Sequence, residues 1–306
     1  MKLWLTAAAA LLAAQDQTFD LVGRLVPETQ ASLTLHGATT PFSASALTDA
    51  RGRFQFRKLA AGAYTLSAFV PGQGEARRTI EIGPSLADAK GRIELTIEMQ
   101  FTPERREGLV SARELSIPDR ARREYENAQR RLGRRDIPGA IEHLERAVKI
   151  APQFSEAWNN LGTIAYQTQQ YEKAERHFRE ALKQDRNAYA PLVNLGGVLL
   201  NLRRFDEALN YNRHAVLTRP HDALANSQLG LSYFALGNLD QGRKYLETAK
   251  RLDPAHFSHP QMTLAEIHLQ QKNPRAAADE LEDFLKHHPD APQAAQMREA
   301  IKKLRQ

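Results

Sequence analysis

The feature that most constrains this chain is a recurrence every 34 residues through its C-terminal part. Around Trp158 to Leu182 the sequence reads as two short amphipathic helices joined by a turn. Trp158, Leu161 and Gly162 belong to the first helix; Ala174, Phe178 and Ala181 mark the second. Small residues late in the first helix recur at Ala128, Gly162, Gly196, Gly230 and Ala265. Those opening the second recur at Ala140, Ala174, Ala208, Gly242 and Ala277, followed by Ala147, Ala181, Ala215 and Ala249, with closing prolines at Pro152, Pro220, Pro254 and Pro289. Departures are visible: Arg186 stands in for a proline, Phe284 for an alanine, and the fifth copy is one residue out of step. A period of this length means stacked helix pairs, because one pair cannot bury its apolar face alone. Small residues fit where two helices approach closely, larger apolar ones fill the space between pairs, and proline ends each second helix because it lacks the amide.

The spacing Trp-x2-Leu-Gly, then Ala-x3-Phe, then proline resembles the tetratricopeptide repeat. The resemblance implies an all-α solenoid of five helical hairpins over 120–290 (about 121–154, 155–188, 189–222, 223–257 and 258–290), although the first copy lacks the Trp and Leu-Gly signature. A capping helix over 291–306 follows, with Ala294, Ala295, Met297, Ile301 and Leu304 on one side. In such an array the first helices line the concave surface, where recognition occurs. Matching positions give a candidate partner-binding stripe: Tyr125, Gln129, Asn159, Thr163, Tyr166, Val193, Asn194, Leu200, Leu224, Ser227, Leu231, Phe234, Met262, Glu266 and Leu269. It runs from polar and aromatic to apolar, which suits an extended or helical peptide with hydrophobic anchors. The competing reading makes Leu132, Tyr166, Leu200, Phe234 and Leu269 stacking residues between pairs. Some members of the family hold a C-terminal carboxylate with basic residues beside asparagines. Asn160 and Asn194 match those asparagines, but Ala190 and Gln228 stand where basic residues are wanted, which disfavours that mode.

Upstream, between Phe19 and Gln100, the period changes to two. Alternation runs through 20–26, 31–37, 52–59, 63–70, 76–83 and 92–99, with turn signals at Pro27, Gly37, Pro41, Gly52, Gly62, Gly72, Gly74 and Gly83. Six or seven short strands so punctuated predict a small antiparallel β-sandwich over 17–100. The run 48–69, TDARGRFQFRKLAAGAYTLSAF, resembles the carboxypeptidase regulatory-like domain, a transthyretin-like sandwich. That resemblance implies an accessory module that packs, binds or spaces, without catalysis. Asp49 and Gly52 are turn residues by type. The fold class is thus multidomain: an N-terminal antiparallel β-sandwich followed by the helical solenoid.

Met1 to Gln15 carries a lysine, an apolar stretch from Leu3 to Leu12 and small residues at Ala13 and Ala14, the pattern of a cleaved signal peptide. This predicts an exported chain, periplasmic or secreted, without a stable membrane span after leader removal. Residues 101–119, with Pro103, Gly108 and Pro118, read as a linker. With no cysteine in the chain, thiol nucleophiles, thiolate metal sites and disulfides are excluded. The formal charge of +6 names no partner, and no nucleic acid is expected. Arginines bunch at Arg120, Arg122, Arg123, Arg130, Arg131, Arg134 and Arg135, amid Asp119, Glu124 and Glu126, as on a solvated face or an anion-binding surface.

No HExxH, GxSxG or GxxxxGK[ST] motif occurs, and no catalytic residue, cofactor or metal ligand is assigned. His256 with His259, and His287 with His288, are candidate zinc ligands by type, but the sequence groups no third ligand with them. Gly72-Gln73-Gly74 lies between two strands without a following helix and reads as a hairpin turn rather than a phosphate loop. The expectation is a non-catalytic scaffold or adaptor that binds a protein or peptide on the concave face. The alternative is a carbohydrate or cell-wall polymer binder that reads its ligand through the sandwich, with the repeats mediating assembly. That alternative needs exposed aromatics; Phe54, Phe56, Tyr64 and Phe69 are the candidates, and their alternation suits a core better.

Overall fold

The computed structural model describes residues 17–99, 116–186 and 188–306. The leader assigned to 1–15 and most of the linker assigned to 101–119 lie outside the described residues.

The strand-rich part forms β1 (Thr18–Val26), β2 (Ser32–Gly37), β3 (Ser43–Leu47), β4 (Arg53–Ala60), β5 (Gly62–Val70), β6 (Gly74–Ile82) and β7 (Arg92–Glu98). They make two sheets, β4-β1-β7 and β3-β2-β5-β6. Alternation along each strand sends Leu21, Leu25, Leu33, Leu35, Leu66 and Ile93 into one shared core. The expectation of antiparallel pairing holds for every pair but one: β1 and β7 run parallel, with Leu21 opposite Ile93. A parallel neighbour requires a long crossover, and the five intervening strands supply it. β3, Ser43-Ala-Ser-Ala-Leu47, escapes the sequence reading because its small residues carry almost no hydrophobic signal. Phe54, Phe56 and Tyr64 are core residues; Phe69, on the other face, is 39% exposed. Asp49 closes its turn as its type suggests, Oδ1 accepting from the amides of Arg51 and Arg53 at 2.9 Å each, while Gly52 takes φ 70°.

Eleven α-helices follow among the described residues: α1 (Asp119–Gly133), α2 (Ile137–Ile150), α3 (Ser155–Gln167), α4 (Tyr171–Gln184), α5 (Tyr189–Asn201), α6 (Phe205–Thr218), α7 (Ala223–Ala235), α8 (Leu239–Leu252), α9 (Pro260–Gln270), α10 (Pro274–His287) and α11 (Ala294–Leu304). They pack as successive antiparallel pairs, closed by α11 against α10. The marker glycines occupy equivalent places. A Cβ on Gly162 would lie 2.6 Å from the Phe178 ring, one on Gly230 2.7 Å from Leu246, and one on Gly196 would strike Asn212, the matching residue of the middle layer. A second period appears in the backbone. Each turn within a pair holds one residue at positive φ, in order Arg135, Gln169, Arg203, Gly237 and Lys272. Side-chain caps start several second helices: Asp136 accepts from Gly139 N at 3.0 Å, and Asn238 and Asn273 each accept at 3.2 Å.

The fifth pair breaks the rhythm. α9 has 11 residues where α7 has 13, and the connection before it stretches from Asp253 to His259. The extra residue seen in the sequence is accommodated by leaving the first turn of this helix unwound.

The sandwich rests on the array through both edges of its four-stranded sheet. On the β3 side, Gln167 Nε2 donates to Gly37 O at 2.8 Å and the Arg135 guanidinium lies 6.0 Å from the Phe42 ring centroid. On the β6 side, the strand runs along the connections between repeats. Arg219 pairs with Glu75 at 3.2 Å, Thr79 N donates to Asp253 Oδ2 at 2.9 Å, and Arg78 donates to Leu252 O. Beyond β6, Ser85 N donates to Asp290 Oδ2 at 3.1 Å. None of the hydrophobic clusters among the described residues draws on both modules. The joint is therefore polar, and it covers an edge strand that would otherwise offer its amides to another chain.

Candidate binding surface

The first helices α1, α3, α5, α7 and α9 carry the predicted stripe, and the structure divides it by chemistry. Hydrogen bonds lace neighbouring helices together along it. Asn160 Nδ2 donates to the Tyr125 hydroxyl at 3.1 Å, Asn194 Nδ2 to Asn159 Oδ1 at 3.1 Å, and Asn201 Nδ2 to the Tyr166 hydroxyl at 3.2 Å. Burial raises the pKa values of Tyr125 and Tyr166, so both hydroxyls stay protonated and serve as fixed hydrogen-bonding groups. Thr163 Oγ1 turns back to Asn159 O at 3.0 Å, and Ser227 and Ser258 share a hydrogen bond at 2.7 Å.

The apolar members mostly join the core. Tyr125 packs against the cluster of the first pair, Tyr166 and Leu200 against that of the next, Val193 is 2% exposed with Leu224 beside it, Leu231 and Phe234 flank Leu246, and Met262 sits against Ala265 and Leu281. Leu269 stays 46% exposed, next to exposed Glu266. What the array presents is therefore a strip of half-buried polar groups, Gln129, Asn159, Thr163 and Asn194, ending in Glu266 and Leu269. Gln228, on the position where a carboxylate-binding mode needs a base, is buried. The arginines near the first pair are partly engaged: Arg131 pairs with Asp136 at 2.7 Å, and Arg122 Nε donates to Ile117 O at 3.2 Å.

Sequence models described as tetratricopeptide repeat match residues 125–191 and 262–298, 165–227, and 223–256. This chain carries a tetratricopeptide-repeat array. Among curated proteins, the human cell division cycle protein 16 homolog is 30% identical over 119 residues, 36% of this chain and 19% of that protein. Human tetratricopeptide repeat protein 5 is 35% identical over 105 residues, 33% of this chain and 23% of that protein. The chain thus spans about a fifth of the length of the curated relatives it matches. Among solved structures, MamA residues 41 to the end from Desulfovibrio magneticus RS-1 aligns with a TM-score of 0.51 at 24% identity, covering 58% of this chain and 99% of that one. Pseudomonas aeruginosa pilF aligns at 0.51 and 18%, covering 63% and 90%. At such identities the structural likeness concerns the fold alone.

Sequence reasoning did not reach the contact between array and sandwich. Glu75 is held below the usual carboxylate range: burial acts to raise its pKa, but Arg77 and Arg219 outweigh it. Nor did it find the partner of the histidines. Glu81, from β6, meets His288 Nδ1 at 3.0 Å across more than 200 residues of sequence, a separation no local spacing can report. Among the described residues no helix is long and apolar enough to cross a membrane.

Proposed function

We propose that this chain is an exported, non-catalytic scaffold that binds a protein or peptide partner along the inner face of its tetratricopeptide-repeat array, with the sandwich as an accessory module of the carboxypeptidase regulatory-like kind. The observation that supports it is the polar strip Gln129–Asn159–Thr163–Asn194, in which Asn194 is bonded to Asn159 of the preceding first helix beside the Asn160–Tyr125 bond, and which lies outside the hydrophobic clusters. Pre-organised hydrogen-bonding groups on a rigid surface lower the ordering cost of binding an extended segment. The polymer-binding alternative keeps one exposed aromatic, Phe69, because Phe54, Phe56 and Tyr64 are buried among strands.

The test is crosslinking of the full chain in the envelope fraction, followed by identification of the crosslinked sites. Partner contacts should map to α1, α3 and α5 and vanish in the double variant Thr163→Arg, Asn194→Arg. Contacts that map elsewhere, or survive the double variant, would refute the reading. Recovery of the chain in the cytosol with an intact N-terminus would refute export.

A further inference from the structure

The departures of the fifth repeat from the pattern all gather in one place. Phe284 replaces the alanine of the other copies, the connection before α9 is lengthened, and His259 stands at the start of that helix with φ 51° and ψ 60°. The result is a packed group. The His259 and His288 rings lie 4.5 Å apart at 75°, and Phe284 stacks on His288 at 4.7 Å while meeting His259 edge-on at 5.1 Å. Glu81 enters from β6, so the group straddles the joint between sandwich and array. One ligating atom from each of Glu81, His259 and His288 lies within 4.8 Å of the others.

The His288 side chain is only 4% exposed. Its ring has two nitrogens and one partner: Glu81 takes Nδ1, and Nε2 meets no hydrogen-bond partner among the described residues. A buried nitrogen left unmet is costly, and native interiors seldom tolerate one without a reason. Two imidazoles and one carboxylate are the donor set that borderline divalent ions take, leaving a further coordination position for water. We propose that Glu81, His259 and His288 form a binding site for a zinc-class divalent cation, which pins the edge of the sandwich to the last repeats of the array.

The surroundings suit that role. The His259 ring is held in place by its edge-on contacts with Phe284 and His288. Zinc bonds of about 2.0–2.1 Å place ligand atoms about 3.3 Å apart, so the longest separation in the cluster has to close by about 1.5 Å at most. Of the other histidines in these connections, His256 is turned to Ser258 and His287 to Asp283 at 3.5 Å, so neither joins the cluster. The ion does no chemistry in this scheme. It converts a polar, separable contact into a cross-link that depends on metal supply.

The test uses the full chain without a histidine tag, stripped with chelator and titrated with zinc and with cobalt(II) alone. The wild type should retain one ion per chain after desalting, show visible cobalt bands of a four- or five-coordinate nitrogen and oxygen site, and gain protection of the sandwich–array joint from protease. Glu81→Gln, His259→Gln and His288→Gln should each weaken binding by about 10-fold or more. His256→Gln and His287→Gln should leave it unchanged. Glu81→Gln lies on the sandwich surface and keeps both cores intact, so its result stands even where a histidine variant misfolds. No stoichiometric ion in the wild type, or retention unchanged in Glu81→Gln, overturns the site.

Discussion

The sandwich and the array solve the same problem, burying apolar surface, in opposite ways. Among the described residues the sandwich has one core of 20 buried residues, closed by strands as distant as β1 and β7. Among the described residues the array has five clusters, each drawn from a helix pair and its neighbour. One core makes folding all-or-none, whereas a series of local cores makes stability a sum over neighbouring layers. The polar joint between them belongs to neither scheme.

The largest effects should fall in the two cores and separate the schemes. Phe178→Ala removes a ring that is 1% exposed beneath Gly162 and should cost about 3–5 kcal/mol. Hydrogen exchange should accelerate in α3, α4 and their neighbours while α10 stays protected. Leu66→Ala, on a residue with no exposure, should cost about 2–5 kcal/mol and accelerate exchange in all seven strands together. Uniform loss of protection along the array in the first variant would break the comparison.

A smaller effect belongs to the joint. Asp253→Ala leaves Thr79 N without its acceptor and should weaken docking by about 1–3 kcal/mol, read as faster proteolysis of the joint with both modules still folded. The pH dependence of the array should carry a signature of His177, stacked on Trp158. Burial, then Lys173 and Arg176, lowers its pKa from 6.5 to about 4. The unfolded chain binds this proton more readily, so its contribution is fully present above pH 6.5 and is lost as pH falls towards about 4. His177→Gln should flatten that part of the thermal stability profile. The smallest change is in the turns. Gln169→Gly relieves a left-handed residue and should stabilise by about 0.5–1 kcal/mol, while Gly237→Gln should do the reverse in the equivalent turn.

Much of the fold was legible because repetition multiplies weak signals. Gly162 alone says little; with Gly196 and Gly230 it defines a layer. The sandwich strands were legible where large residues alternate, and β3 was not, because serine and alanine carry no contrast. The parallel β1–β7 pair could not be read, since pairing partners far apart leave no local trace. At the surface, the sequence placed the stripe on the first helices but could not tell Asn159, which stays at the surface, from Phe234, which packs against Leu246. That choice depends on the fit of the next layer. The site at Glu81 was half visible: the histidines stood out by type, and their third member came from another module.

The central claim is that β6 and the connections of the array form a single joint, and the absence of native cysteine makes it directly testable. In the double variant Glu75→Cys, Arg219→Cys, a short bismaleimide should link the two positions within one chain nearly completely, because the native side chains meet at 3.2 Å. Free modification of both cysteines without an intramolecular link would show the two modules apart and contradict the account.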